Sequence, residues 1–317
     1  MKKYFASLFA RHCIRKSDKA VNDPITAQER LFRRLLETAK DTAFGREYGF
    51  GSIKTYGEFR SEVPLHTYEQ LEPYVRRIAD GERDVLWPGR PAYFAKTSGT
   101  TSGTKYIPLT EEGLACQARA TRDMLLRYIL SSGNVGFVGG KMIFLQGSPV
   151  LEDKNGIKTG RLSGIVAHCV PFYLRSNRKP SYRTNCIEDW EAKVEAVVDE
   201  TVGADMTLIS GIPSWLQMYF ERLIARSGKK VGNLFPNFSV MVTGGVNYEP
   251  YRARFEELIG RSVDLLETYP PKDLSRPRTA PPRTAACCSM WTAVCFTNSS
   301  RPTATGRKMP RACACPK

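Results

Sequence analysis

The chain has 317 residues, 42% of them hydrophobic and 25% charged, with a formal net charge of +15. That size suits one large or two ordinary globular domains, and no apolar run is long enough to cross a bilayer. The basic balance would point to an acidic partner such as nucleic acid, but it is unevenly placed. From Pro271 to Lys317 nine Lys or Arg face a single acid, Asp273, so this tail carries +8 and the rest of the chain +7.

In chain order, Met1 to Ala10 opens with two lysines and a short apolar stretch that Arg11, His12, Arg15 and Lys16 interrupt. No small-residue cleavage site follows, so the segment reads as an amphipathic helix rather than a signal peptide. Residues 22–80 read as helical. Thr26-Ala-Gln-Glu29 has the form of a capping box after Pro24, and Leu31, Phe32, Leu35, Leu36 and Ala39 follow at helical spacing. Gly45 suits a left-handed cap that ends this helix. A second helix is expected from Tyr68 to Ala79, closed by Gly81, before Trp87-Pro88-Gly89 turns the chain.

Lys96 to Pro108 is the most informative stretch. Six of the eight residues from Thr97 to Thr104 carry hydroxyls and the other two are Gly99 and Gly103. Strand-like residues flank it on both sides, Tyr93-Phe94-Ala95 and Tyr106-Ile107. Such a loop gives a hydrophobic core little. To a polyphosphate it offers backbone N–H groups that glycine leaves approachable, hydroxyl donors, and a cation at Lys105. It is not a Walker A loop, which needs four residues between its glycines where three stand here. A flexible surface hairpin is the bland alternative.

Beyond the loop the spacing predicts a helix over Glu111 to Leu130 and a strand over Lys141 to Gly147. A helix near Trp190 to Val198 follows, burying Ala192, Val194, Val197 and Val198. Strand Met206 to Ser210 leads through Gly211-Ile-Pro213 into a helix from Trp215 to Ala225, with Tyr219 and Phe220 expected in the core. Next come strand Phe238 to Thr243, the turn Gly244-Gly245, helix Pro250 to Ile259 and strand Ser262 to Leu266. Short apolar strands alternating with amphipathic helices argue for an α/β fold with a mostly parallel sheet, covered on both faces. In such sheets ligands sit outside the carboxyl ends of the strands. Gly211, Gly244-Gly245 and Tyr269 all follow strands directly, and are expected to converge with the Thr97–Lys105 loop on one rim. His12, His66 and His168 fall in no triad or metal pattern and read as surface or partly buried side chains. Cys116, Cys169 and Cys186 have no paired spacing, which fits reduced thiols and a cytoplasmic setting.

The tail changes character. It holds five of the nine cysteines (Cys287, Cys288, Cys295, Cys313, Cys315) and shows no helical or strand periodicity. Its cysteine spacings match no common zinc pattern, and Trp291 and Phe296 are its sole aromatics for nucleic-acid stacking. A shifted reading frame explains more. Read from each third codon base, Met290-Trp291 forces Val-Asp, Ala286 to Arg301 permits L-L-L-N-V-D-S-G-M-F-Y-E-F-I-P, and Pro270 to Arg276 permits S-E-G-F-I-A. Residues after Pro270 are therefore read as a frameshifted translation, expected to be disordered.

Thr97-Ser-Gly-Thr-Thr-x-Gly resembles the phosphate loop of the adenylate-forming superfamily. Phe44-Gly45, Val63-Pro64, Pro73-Tyr74, Gly81-Glu82, Val85-Leu-Trp-Pro-Gly89 and Lys105-Tyr-Ile-Pro108 narrow it. Together they resemble the auxin-responsive-promoter family of acyl-acid amido synthetases and its bacterial relatives, over residues 25–270. The resemblance implies an incomplete large domain of an adenylate-forming enzyme: a helical part (1–90), an α/β nucleotide-binding part (91–270) and an aberrant tail (271–317). It implies ATP with Mg2+, and a carboxylic acid joined to an amine or amino acid through an acyl-adenylate. Thr97, Ser98, Gly99, Thr100, Thr101, Gly103 and Lys105 would then hold phosphates. Gly244, Gly245, Val246, Thr268 and Tyr269 would flank adenine, and Ile212 and Trp215 would line the acyl pocket. No metal ligand is assigned, because Pro271-Lys272-Asp273 stands where the family continues from Tyr to Ser-Glu, the acid that helps bind magnesium. A chain lacking that acid is expected to be inactive. An acyl-CoA ligase of the same superfamily is the close alternative, which Lys105-Tyr-Ile-Pro in place of a Pro-Lys-Gly ending argues against. A non-catalytic basic adaptor, binding nucleic acid or membrane through the tail, is the alternative of a different class. The leading reading expects neither partner, and oligomeric state stays open.

Overall fold

A computed structural model describes residues 2–97, 104–170 and 175–268; the tail expectation lies outside them. Helix α1 (Lys2–Asn22) buries Ala10 and Ile14 against Leu126 and Ile129 of the long helix α6 (Glu111–Ser132). Helix α2 (Pro24–Ala39) starts earlier than the capping-box reading requires. Asp23 is its cap, accepting from Thr26 N at 3.3 Å, and Pro24 fills the first helical position, where a missing N–H costs nothing. The Thr26–Glu29 box is thus displaced by a cap three residues upstream.

Gly45 also departs from expectation. Thr42 caps a new short helix, α3 (Ala43–Glu47), and Gly45 lies inside it, its N–H donating to Thr42 Oγ1 at 2.9 Å. A Cβ there would sit 1.9 Å from the Ala39 carbonyl oxygen, so glycine is needed for close approach and not for a left-handed turn. True capping boxes occur at Thr55/Glu58 before α4 (Tyr56–Glu62) and Thr67/Gln70 before α5 (Tyr68–Ala79). Gly81 follows α5 with φ +103°, as its expected role demands.

Two sheets follow. In the first, β1 (Tyr93–Thr97) pairs antiparallel with β2 (Lys105–Leu109) and parallel with β5 (Ile157–Arg161), which pairs with β4 (Glu152–Lys154). Its order is β2-β1-β5-β4. The residues flanking the hydroxyl-rich loop are strands, as expected, and pair antiparallel with each other, but in a sheet that periodicity did not separate from the second one.

The second sheet is wholly parallel, ordered β6 (Arg178–Lys179), β3 (Lys141–Phe144), β7 (Met206–Gly211), β8 (Val240–Gly244), β9 (Asp264–Thr268). Its faces divide with period two. Between the strands run the short helices α7 (Leu162–His168), α8 (Tyr182–Asn185) and α11 (Val231–Leu234) and the longer α9 (Trp190–Thr201), α10 (Pro213–Ser227) and α12 (Arg252–Ile259). Ile143, Ile209 and Met241 point to one side, where α9, α10 and α12 supply Val197, Leu216, Phe220 and Phe255. Met142, Leu208, Val240 and Val242 point to the other, under α1 and α6. Tyr219 and Phe220 are fully buried. The expected α/β class and two-face covering hold. Within α9, however, Lys193 is buried and Ala192 is exposed, and the observed strands β8 and β9 begin two residues later than the spacing suggested.

Candidate functional site

Parallel register brings three strand ends level. Gly211 faces Thr243, and Gly244 faces Thr268. The last two are tied by Thr268 Oγ1, which donates to the Thr243 carbonyl at 3.0 Å. Gly244 has no room for a side chain: a Cβ would lie 2.5 Å from both Thr268 O and Oγ1. Gly245 takes φ +90°, and a Cβ there would lie 3.6 Å from Ile212 Cγ1. The turn is thus a bare backbone surface beside one apolar side chain. Val246 continues it, about half exposed, and Tyr248 N donates to Glu267 Oε1 at 3.2 Å, closing the turn onto β9. Thr243 Oγ1 is buried with no hydrogen-bond partner among the described residues. Gly211, next to the buried Leu145 and Leu216, brings β3 against the same rim.

Trp215 lies one turn into α10, its ring 4.2 Å from that of Trp190 on α9, whose Nε1 donates to Met218 Sδ. Ile212 and Trp215 therefore point to different neighbours: Ile212 toward the glycine turn, Trp215 toward the adjoining helix.

Thr97 and Lys105 are directly opposed across the β1–β2 hairpin. Lys105 Nζ is held 2.7 Å from Glu69 Oε1 and 4.9 Å from the Tyr68 ring centroid, both in the first turn of α5. Tyr68 in turn bridges Tyr106, accepting from its N–H at 2.8 Å. The hydrogen bond from Lys105 holds the Glu69 carboxyl down to about 2. Neither Tyr68 nor Glu69 was singled out from sequence, because a contact across 36 residues leaves no local signature. Ser98, Gly99, Thr100, Thr101, Gly103 and Tyr269 lie outside the described residues. Among those described, no three His, Cys, Asp or Glu side chains are grouped to hold a metal ion. His66 bonds Tyr48 and His168 bonds the Pro149 carbonyl.

A sequence profile described as the GH3 family N-terminal domain matches residues 13–193. The jasmonoyl--L-amino acid synthetase JAR4 of Nicotiana attenuata is 28% identical over 136 residues, 42% of this chain and 23% of that protein. A probable indole-3-acetic acid-amido synthetase of Arabidopsis thaliana, GH3.1, is 34% identical over 91 residues, 28% of this chain and 15% of that protein. The solved acyl acid amido synthetase AtGH3.15, in complex with 2,4-DB, superposes with a TM-score of 0.65 at 17% identity. That match covers 82% of this chain and 55% of the solved one, so the chain spans about half of that structure. At this identity the superposition speaks for the fold, in line with the covered parallel sheet. Because the profile takes in more than half of the residues, the chain belongs to the GH3 family of acyl-acid amido synthetases.

Proposed function

We propose that this chain is the nucleotide-binding part of an ATP-dependent acyl-acid amido synthetase. The observation that carries this reading is the level rim of Gly211, Gly244 and Thr268, with a side-chain-free turn at its centre. A flat backbone surface beside Ile212, and a Thr243 hydroxyl without a partner among the described residues, suit a planar, hydrogen-bonding base.

In the reaction, a carboxylate oxygen attacks the α-phosphorus of ATP and pyrophosphate leaves. The nitrogen of an amine or amino acid then attacks the acyl carbon, and AMP leaves as the amide forms. Both steps place charge on phosphate oxygens, so fixed donors near them lower the barrier. We assign that role to Thr97, Ser98, Gly99, Thr100, Thr101, Gly103 and Lys105. Gly244, Gly245, Val246, Thr268 and Tyr269 take the adenine, and Ile212 and Trp215 the acyl side. Mg2+ would enter with the phosphates and neutralise part of their charge.

Turnover is a separate matter. Pro271-Lys272-Asp273 replaces the Ser-Glu that the family pattern places after Tyr, and the shifted frame restores Ser-Glu-Gly at once. We propose that the chain binds ATP but does not adenylate. Saturable binding of a fluorescent methylanthraniloyl-ATP is expected, with pyrophosphate exchange at background. Absence of binding would overturn the nucleotide site, and exchange by this chain would overturn its inactivity. Resequencing the codons for Leu266 to Ser275 tests the frame directly.

A further inference from the structure

Helix α1 is held to the body along one side. Ala10 and Ile14 are buried against α6, Ser17 Oγ donates to Asp123, and Asp18 accepts from Arg127 Nη2 at 2.8 Å. Phe5 and Ile14 stand about two and a half turns apart, hence on opposite sides of the helix. That other side carries Phe5, Leu8 and Phe9, which are 63%, 44% and 52% exposed. Single exposed apolar side chains are ordinary on a protein surface. These three stand at i, i+3 and i+4, so they form one stripe on a helix that the body already holds in place.

The charge of this helix is just as uneven. Residues 2–22 hold six Lys or Arg (Lys2, Lys3, Arg11, Arg15, Lys16, Lys19) and one acid, Asp18, which Arg127 already pairs. Arg11, His12 and Arg15 are exposed. An apolar stripe with cations before and after it suits a lipid–water interface, where apolar side chains enter the acyl boundary and cations meet phosphates. Among the described residues no helix is long and apolar enough to cross a membrane. The expectation of no membrane partner rests on the lack of such a span, and a surface contact needs none.

We propose that the outer side of α1 docks on an anionic lipid surface, inserting Phe5, Leu8 and Phe9 while Ala10 and Ile14 stay packed on α6. Charge decides against the other occupants. A second copy meeting this one about a two-fold axis would bring two sets of six cations together. Residues 271–317 of the chain are themselves basic, with nine Lys or Arg against one acid. Nucleic acid would satisfy the cations but set the phenylalanines against a charged backbone, where apolar rings gain nothing. A lipid surface satisfies both halves of the helix at once. The inference is independent of the nucleotide reading.

The test is flotation of the full chain with vesicles of equal parts phosphatidylcholine and phosphatidylglycerol, and with vesicles of phosphatidylcholine alone. The chain should float with the anionic vesicles and not with the neutral ones, and raised salt should weaken it. Phe9→Ser should weaken binding about tenfold, the scale of one apolar side chain withdrawn from the acyl boundary. Arg15→Gln should weaken it about fivefold, as loss of one charge beside an anionic surface requires. Both residues are exposed, so neither change disturbs the packing of α1 on α6. Phe9→Trp reports depth: brominated acyl chains should quench the fluorescence it adds. Failure to float with the anionic vesicles would overturn the proposal. Flotation that neither Phe9→Ser nor Arg15→Gln weakens would also sink it, giving the contact to the basic tail. Loss with Arg15→Gln alone, and no quenching of Phe9→Trp, would reduce α1 to a polyanion-binding segment without insertion. A dimer in sedimentation velocity that Phe9→Ser breaks, with no vesicle binding, would give the stripe to a second copy.

Discussion

Thr268 Oγ1 donates to the backbone carbonyl of Thr243 across the last rung between β8 and β9. That bond fixes the space above Gly244, because both the hydroxyl and the Thr268 carbonyl lie 2.5 Å from where a Cβ would stand. A backbone carbonyl in a ladder cannot swing aside. Gly244→Ala is therefore expected to cost about 1–3 kcal/mol, the range for overpacking, and to weaken ATP binding along with it. Gly211→Ala meets side-chain carbons of Leu145 and Leu216 at 3.1–3.3 Å, which can give, and should cost less. Urea titration of the two variants checks the order.

Gly45→Ala should be more damaging. Its Cβ would stand 1.9 Å from the Ala39 carbonyl oxygen, at the junction of α2 and α3. We expect a loss of about 3 kcal/mol, at the upper end for a small-to-large change. Thr42→Ala, which removes the cap on Gly45 N and the hydrogen bond that Thr42 Oγ1 donates to the Ala39 carbonyl at 2.7 Å, should cost about 1–2 kcal/mol. If Gly45→Ala were neutral by thermal melt, the close approach would be wrong.

What was legible in the sequence follows from how local the signal is. The apolar runs of β7 and β8 and the helices between them announce a covered parallel sheet, because burial on both faces leaves no polar alternation. The α5 span and its closing Gly81 are equally local. Gly45 was read as a left-handed residue because sequence shows that glycine is required, and not whether φ or space requires it. Thr26 lost its cap to Asp23 because two cap-like residues overlap and Pro24 favours the earlier start. Lys193 was unreadable: its charge is accommodated by the Asn185 carbonyl from a preceding short helix, which no pattern in α9 records. At the site, the glycine turns were local and visible. Glu69 and Lys105 come together across 36 residues, a contact that periodicity cannot detect.

The Glu69–Lys105 pair yields a prediction with a defined sign. Its carboxyl is held at about 2 in the folded chain against an ordinary 4.5, chiefly by the hydrogen bond from Lys105. A depressed acid contributes stability above its unfolded pKa and loses it as pH falls through the folded one. Wild type should therefore lose stability between pH 4.5 and about 2 more steeply than Glu69→Gln. The pair is exposed, so raising the salt should shrink the difference. A difference unmoved by salt would mean that the pair acts by packing.

The same pair bears on ATP. Lys105 can donate to a phosphate only by leaving or sharing Glu69, so the carboxylate competes with the nucleotide. Lys105→Ala should weaken methylanthraniloyl-ATP binding by about tenfold, the scale of one charge-assisted hydrogen bond. Glu69→Gln should tighten it or leave it unchanged. Weakening by both variants to the same degree would mean that the pair serves the hairpin and not the phosphates.

Tyr128 gives the alkaline counterpart. Its hydroxyl donates to Asp264 Oδ2 and accepts from Asn134 Nδ2 at 2.7 Å, tethering α6 to β9. Burial, then the Asp264 carboxylate, pushes the phenol well above its ordinary value near 10. A raised pKa gives stability that is complete below the unfolded value and fades as pH rises past it, because the unfolded chain releases the proton first. Stability should then decline from about pH 10 upward. Tyr74 and Tyr219 are raised in the same direction, so Tyr128→Phe should flatten that limb only in part. At neutral pH the variant should cost about 1 kcal/mol, since exposed Asp264 regains water while Asn134 loses an acceptor. Denaturant melts at pH 7 and pH 10.5 separate the two effects; an equal loss at both would show that folding does not raise the phenol.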